Sequence, residues 1–242
     1  MYEVTDPGLS VSADHPTILC TVDVVLLTLI GGALHVLLQK RAADPFAGAL
    51  ALPGGYVHAQ EDQDAGAAAA RVLREKTGIV SPYLEQLATF AGPDRDPRGW
   101  SVSIAHVALV AESALRAVPA AAAAGAEPQW KPVARLPALP FDHRQIVAHA
   151  VERVRTKSQY SSLPVYLCGD RFTLPQLQAV YEAVLGEAVN KVSFRRKIDE
   201  LGIVEAIDGE FEAGGAHRPA QLYRLRRPYR HVLSVSGRGL GS

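Results

Sequence analysis

Cysteine is almost absent. The 242 residues hold two, Cys20 and Cys168, far apart in the chain. That excludes a disulfide scaffold and points to a reduced, cytoplasmic protein. Long hydrophobic runs are missing too. None reaches membrane-spanning length, and the acidic, proline-bearing N-terminus (Glu3, Asp6, Pro7) is no signal peptide, so no membrane contact is expected. An excess of one charge is also lacking: 25 Lys and Arg against 25 Asp and Glu give a formal net charge of +0. The overall balance argues neither for nor against a nucleic-acid partner. Nothing suggests a catalytic triad, a zinc site or a phosphate-binding P-loop, and no catalytic or metal-ligating residue is assigned. One further absence is local. From Ala216 to Ser242 there is no Asp or Glu, while Arg218, Arg224, Arg226, Arg227, Arg230 and Arg238 are all present.

What is present suffices for a core. The chain is 48% hydrophobic and long enough for one large domain or two small ones. Residues 1–16 read as a loose arm. Thr17 to Ile30, rich in Val, Leu, Ile and Thr, predicts a buried strand. Gly31-Gly32 predicts a hairpin turn, and Ala33 to Gln39 the returning strand, ended by Lys40 and Arg41. Leu50 to Leu52 is a short strand into Gly54-Gly55. An alanine-rich helix over 65–77 stops at Gly78. Tyr83 to Phe90 and Ser101 to Val110 read as strands around a polar loop, Gly92 to Trp100. Ala117 to Ala126 is nearly all alanine, a short helix or a connection. Asp142 caps a helix to Lys157 with the stripe Ile146, Val147, Ala150, Val151 and Val154. His143 and His149 on that helix read as packing or surface residues rather than metal ligands.

The stretch LPGGYVHAQEDQDAGAAAARVLREKTGI resembles the Nudix box, G-x5-E-x7-R-E-U-x-E-E-x-G-U with U aliphatic. Gly55 and Glu61 match with the right gap, and Arg71, Leu73, Glu75, Gly78 and Ile79 match at the far end. Nine residues separate Glu61 from Arg71 where the family has seven. The family's three helical glutamates fall on Val72, Glu75 and Lys76. Positions i, i+3 and i+4 share one helix face. Three carboxylates there would hold a hard divalent cation; one carboxylate, an aliphatic group and an ammonium would not. The loop after Gly92 resembles F-x-x-P-x-R-D-P-R-G of ADP-ribose-directed Nudix proteins. Arg95 and Arg98 could fork onto a pyrophosphate, or pair with Asp94 and Asp96 in a solvated loop. Trp100 could flank a base.

From about Leu163 the pattern changes. Thr173 is a good N-cap, and Leu174, Leu177, Val180, Tyr181 and Val184 recur at helical spacing up to Gly186. Asn190 caps a second helix, Lys191 to Leu201, ended by Gly202. Its apolar stripe is Phe194, Ile198 and Leu201, and its other face carries Lys191, Ser193, Arg195, Arg196 and Lys197. Ile203 to Ile207 and Ala220 to Leu225 read as strands. Turns are expected from Asp208-Gly209 to Gly214-Gly215, and His217-Arg218-Pro219 leads into the last strand. Helix, turn, helix and basic hairpin outline a winged helix-turn-helix, whose second helix enters the major groove while the hairpin touches phosphates. A short charge run is otherwise an ordinary solvated helix face.

The run TLPQLQAVYEAVLG…NKVSFRRKIDELGIVE…RPAQLYRL resembles the C-terminal domain of the NrtR family, Nudix-related transcriptional regulators of bacterial NAD metabolism. The likeness extends from about Thr17 to Arg227. It implies an α/β fold, an N-terminal Nudix-like α/β/α sandwich with a mixed sheet plus a C-terminal winged helix-turn-helix. The divisions are an arm at 1–16, an effector domain with its linker helix at 17–158, a winged helix at 159–235 and a tail at 236–242. It implies a homodimeric repressor of NAD biosynthesis or salvage genes that binds a palindromic operator in double-stranded DNA. The effector would be ADP-ribose or a related nucleotide, with no cofactor. Effector contacts are expected from Lys40, Arg41, Gly54, Gly55, Glu61, Glu75, Arg95 and Arg98. DNA contacts are expected from Asn190, Lys191, Ser193, Arg195, Arg196, Lys197, His217 and Arg218. Two alternatives stay open: an active ADP-ribose hydrolase with metal ligation rebuilt from Glu61, Glu75, Asp62 or Asp64, and a second domain that binds protein.

Overall fold

The computed structural model describes residues 18–115, 128–212, 219–229 and 233–235. The expected arm, the alanine tract, the His217-Arg218 pair and the 236–242 tail lie outside those residues.

Strands β1 (Leu19–Ile30) and β2 (Ala33–Lys40) form a hairpin. Its turn, Gly31-Gly32, has φ of 58° and 77° at its two central residues, which a two-residue hairpin turn requires and glycine supplies without strain. Then follow β3 (Leu50–Ala51), β4 (Gly54–Tyr56), α1 (Ala65–Thr77), β5 (Tyr83–Gly92), β6 (Ser101–Leu109), the single turn α2 (Glu112–Leu115), β7 (Gln129–Pro132) and α3 (His143–Ser158). The sheet order is β3-β2-β1-β6-β5, with β4 on β1 and β7 on β2. Pairing of β1 with β6 is parallel and the rest is antiparallel, so the sheet is mixed.

The period of two along β1 builds the sandwich. Val22, Val24 and Leu26 face α1 and pack on Ala68, Ala69, Val72 and Leu73. Val25, Leu27 and Leu29 face the opposite side, where α3 supplies Ile146, Val147, Ala150 and Val154. Both faces are covered, so β1 reads as a continuous apolar run rather than an alternating one. Asp64 caps α1 by accepting from the Ala67 N–H at 2.7 Å, and Gly78 ends it in the left-handed region.

The C-terminal part contains β8 (Phe172–Thr173), α4 (Leu174–Leu185), α5 (Lys191–Leu201), β9 (Val204–Glu212) and β10 (Ala220–Leu225). Thr173 and Gln176 form a reciprocal capping box at α4. Tyr181 of α4 meets Phe194 of α5 edge-on, with ring centroids 5.5 Å apart, in a core shared with Leu177, Ile198 and Leu201. Strands β8, β10 and β9 make a three-stranded sheet, the wing. The helix-turn-helix and wing expected from the sequence are present.

Two sequence expectations are corrected here. Asp208-Gly209 is not a turn between strands. It lies inside β9, where Gly209 takes φ 73° and the register against β10 shifts. The Gln221 side-chain amide fills the irregularity, donating to the Ile207 and Glu210 carbonyls at 2.8 and 3.0 Å. The hairpin is also not basic throughout. β9 carries Glu205, Asp208, Glu210 and Glu212, answered by Arg224 on Glu205, Arg171 on Glu210 and Gln176 on Glu212.

Packing is continuous past the end of α3. Leu163, Tyr166, Leu167 and Val184 belong to the same apolar cluster as α3 and the sheet, and Tyr166 stacks on Tyr83 of β5 at 5.2 Å.

Candidate functional site

A cavity of about 460 Å³ opens between the ends of β1 and β2, the β4 turn, α1, the loop before β6 and the start of α3. Asp23 sits in its wall, buried within β1. Ser103 donates to its Oδ2 at 2.6 Å, His143 Nε2 faces its Oδ1 at 3.5 Å, and Arg95 Nη2 lies 3.6 Å from Oδ2. His143 Nδ1 accepts from the Leu52 N–H at 3.1 Å, which places the neutral ring's proton on Nε2, toward Asp23. Burial pushes the Asp23 carboxyl up, but His143, Ser103 and Arg95 outweigh it and hold it below the ordinary range.

Elements approach closely at Gly54 and Gly55, and at 54 only glycine fits without a shift. A Cβ on Gly54 would lie 2.2 Å from Asp23 Oδ1, and one on Gly55 would lie 3.0 Å from Val72 Cγ2. Both residues pair with β1, but antiparallel bonding alternates. Val24 N–H bonds the Pro53 carbonyl and Val57 N–H the Cys20 carbonyl. That makes Gly55 and Val22 a hydrogen-bonded pair and leaves the Gly54 backbone facing away from β1.

Arg95 forks onto Asp142, Nε to Oδ2 at 3.0 Å and Nη2 to Oδ1 at 2.9 Å, and also donates to Ser101. Its partners are thus Asp142 and Asp23, not Asp94 or Asp96. Asp142 stands at the N-cap position of α3 but caps nothing with its side chain; its carboxylate is occupied by Arg95. Arg98 does take Asp96, and donates to the Tyr56 hydroxyl at 2.6 Å. Asp96 is held low by that hydrogen-bonded partner, and Arg98 is raised by it. Arg41 lies over the Phe141 ring at 4.8 Å and donates to the Pro45 carbonyl. Burial and the neighbouring Arg98 charge push its pKa down.

Seven of the expected effector residues line this cavity: Lys40, Arg41, Gly54, Gly55, Glu75, Arg95 and Arg98. Glu61 does not. Its side chain is 65% exposed and meets His58 at 3.2 Å. The carboxylate facing Arg71 is that of Asp62, with both contacts at 2.8 Å. Trp100, 44% exposed, is not among the lining residues, and the aromatics there are Tyr56 and Phe141. Asp23 and His143 were not singled out in the sequence as site residues.

A Nudix fold implies a divalent metal on α1, and the donors present do not fit one. Val72, Glu75 and Lys76 all line the cavity, as their spacing requires. Val72 is 1% exposed and packed in the core. Glu75 is paired with Arg71 at 3.3 Å. Lys76 brings a positive charge. Among the described residues no group of three His, Cys, Asp or Glu side chains is placed to hold a metal.

The candidate nucleic-acid face is α5. Lys191, Arg195 and Arg196 are exposed and Ser193 is half-buried. Asn190 is exposed, but its Oδ1 caps the helix, accepting from Val192 N–H at 2.9 Å and Ser193 N–H at 3.1 Å. Lys197 is a correction. It is 4% exposed, three residues on from Phe194 and beside Ile198, so it shares the inner face. Its Nζ donates to the Ser158 carbonyl at 3.3 Å and to that of Gln159, at the end of α3, and lies over the Tyr181 ring. Burial pushes it down to about 8. Val192, in the first turn of α5, is 75% exposed.

Residues 21–153 match the NUDIX domain family, and residues 164–225 match the NrtR DNA-binding winged helix domain. The chain is 40% identical over 215 residues to the ADPR responsive transcriptional repressor NtrR of Acinetobacter baylyi, covering 88% of this chain and 84% of that one. It is similar to Shewanella oneidensis NrtR complexed with a 27mer DNA, with a TM-score of 0.81 and 36% identity over 91% of this chain and 98% of that one. The NUDIX domain of Shewanella oneidensis NrtR complexed with ADP ribose is similar at 38% identity, with a TM-score of 0.50, over 57% of this chain and 90% of that one. The chain belongs to the NrtR family, a Nudix domain joined to a DNA-binding winged helix.

Proposed function

We propose that this chain is a DNA-binding transcriptional repressor that senses ADP-ribose, or a related nucleotide, in a Nudix domain that does not hydrolyse it. The observation that carries the regulatory over the hydrolytic reading is Val72, an apolar core residue on the helix face where a metal would sit. The hydrolase alternative needs spare carboxylates. Asp62 is taken by Arg71, Asp64 by the α1 cap and Glu75 by Arg71, while Glu61, which does not line the cavity, meets His58.

The α5 face carrying Lys191, Arg195 and Arg196 supports the DNA reading, as do the repressor and the DNA complex among its relatives. A homodimer would set two such helices roughly one DNA turn, about 34 Å, apart and favour a palindromic operator. Wing contacts with phosphates would come from His217 and Arg218. No helix among the described residues is long and apolar enough to cross a membrane.

The test is a gel shift on DNA upstream of NAD biosynthesis and salvage genes, with and without ADP-ribose, beside a hydrolysis assay with Mg2+. Specific binding relieved by ADP-ribose, with no turnover, is the expected result. Rapid turnover without specific binding would overturn it.

A further inference from the structure

We propose that Lys76, with Lys40 as its neighbour in the cavity, supplies the positive charge that binds the ligand's diphosphate, so that the ligand is held without a divalent metal. This rests on the effector reading above for the nature of the ligand.

The charge balance of the cavity carries the argument. Six cationic side chains line it against four carboxylates. Three of those carboxylates are already engaged: Asp23 by His143, Ser103 and Arg95, Asp96 by Arg98, and Glu75 by Arg71. The fourth, Asp44, is exposed on the loop after β2. Lys40 and Lys76 form no ion pair among the described residues. They come from different elements, the end of β2 and the last turn of α1. These elements are latched together, because the Gln39 side-chain amide donates to the Lys76 carbonyl.

A diphosphate diester carries one negative charge on each phosphate. Two ammonium groups and the Arg98 and Arg41 guanidiniums can meet it directly. Position matters as much as number. The C-terminal end of a helix repels an anion, so a diphosphate near the end of α1 needs a cation between itself and the helix. Lys76 sits in that last turn. A lysine placed only to complement the helix end would also sit there, and the two roles predict different experiments.

The test is calorimetric titration of the full chain with ADP-ribose in EDTA and in Mg2+, repeated with inorganic pyrophosphate in EDTA. Wild-type affinity for ADP-ribose should agree within about twofold in the two buffers. Lys76→Ala should weaken it by about tenfold or more, the scale of one charge-assisted hydrogen bond. Its thermal midpoint should be unchanged, since the side chain is exposed. Lys76→Glu should bind poorly in EDTA and recover in part with Mg2+. An unchanged affinity in Lys76→Ala would overturn the proposal, as would a wild type that needs Mg2+; in the latter case ADP-ribose still binds and the effector reading survives. If ADP-ribose fails in both buffers but pyrophosphate binds in a Lys76-dependent way, the anion site stands and the ligand was misassigned. If neither binds, both readings fall.

Discussion

Lys197 in α5 donates from its Nζ to the carbonyl oxygen of Ser158 at 3.3 Å, tying α5 to the end of α3. The other end of α3 stands in the cavity, where Asp142 holds Arg95 and His143 faces Asp23. One helix therefore touches both candidate sites. A buried ammonium committed to two carbonyls is a poor phosphate contact. Lys197→Met should keep operator affinity within about threefold of wild type and leave its salt dependence unchanged. The Arg195→Glu, Arg196→Glu double variant should lose binding and flatten the salt slope by about one unit per lost phosphate contact. Fluorescence anisotropy at several salt concentrations checks both.

Arg95 joins three elements through buried polar groups, and its removal leaves Asp142 unpaired and Asp23 short of a cation. Breaking one side of a buried pair costs about 3 kcal/mol. Arg95→Gln should lower stability by that order in urea denaturation. Asp142→Asn should cost less, because Arg95 then keeps Ser101 and Asp23 as neighbours.

Gly54→Ala is predicted to be among the most damaging small substitutions in the Nudix domain. The added methyl would overlap Asp23 Oδ1, and neither β1 nor β4 can retreat without breaking their pairing. Gly31→Ala sets the contrast. Its Cβ meets nothing within 4 Å and only the positive φ is strained, so it should cost about 1 kcal/mol. Thermal melts of the two variants separate crowding from backbone strain.

Asp62 gives a titration readout of the Arg71 fork. The hydrogen bonds from Arg71 hold its carboxyl down at about 2 against an ordinary 3.8. Its folded pKa is depressed, so its contribution to stability is present above pH 3.8 and is lost as the pH falls through about 2. Carbon-detected NMR should place the Asp62 midpoint near 2 in wild type and close to the ordinary value in Arg71→Gln.

Local chemistry made most of the elements legible in advance. Gly78 ends helix 65–77, and Thr173 and Asn190 cap α4 and α5, as expected; the Asp64 cap of α1 was not anticipated. What escaped was set by long-range contact. Nothing near Asp142 in sequence says that its carboxylate will leave the helix end for Arg95, 47 residues away. Asp23 lies within an apolar strand, and its meaning appears only once Gly54 is opposite it. Glu61 lies outside the cavity and pairs with His58, while its neighbour Asp62 takes Arg71, a contact that sequence spacing alone does not reveal. The burial of Lys197 is legible from spacing alone, since three residues after Phe194 is the inner face of a helix. The acidic residues of β9 are equally legible in the sequence.

The most direct test of ligand-responsive DNA binding uses thermodynamic reciprocity. Titrate ADP-ribose into the free protein and into its operator complex by calorimetry, and measure operator affinity with and without saturating ADP-ribose. If ADP-ribose weakens DNA binding by a given factor, DNA must weaken ADP-ribose binding by the same factor. The predicted result is a matched loss of about tenfold or more on both sides. Saturation of the cavity by ADP-ribose with operator affinity unchanged would contradict the account.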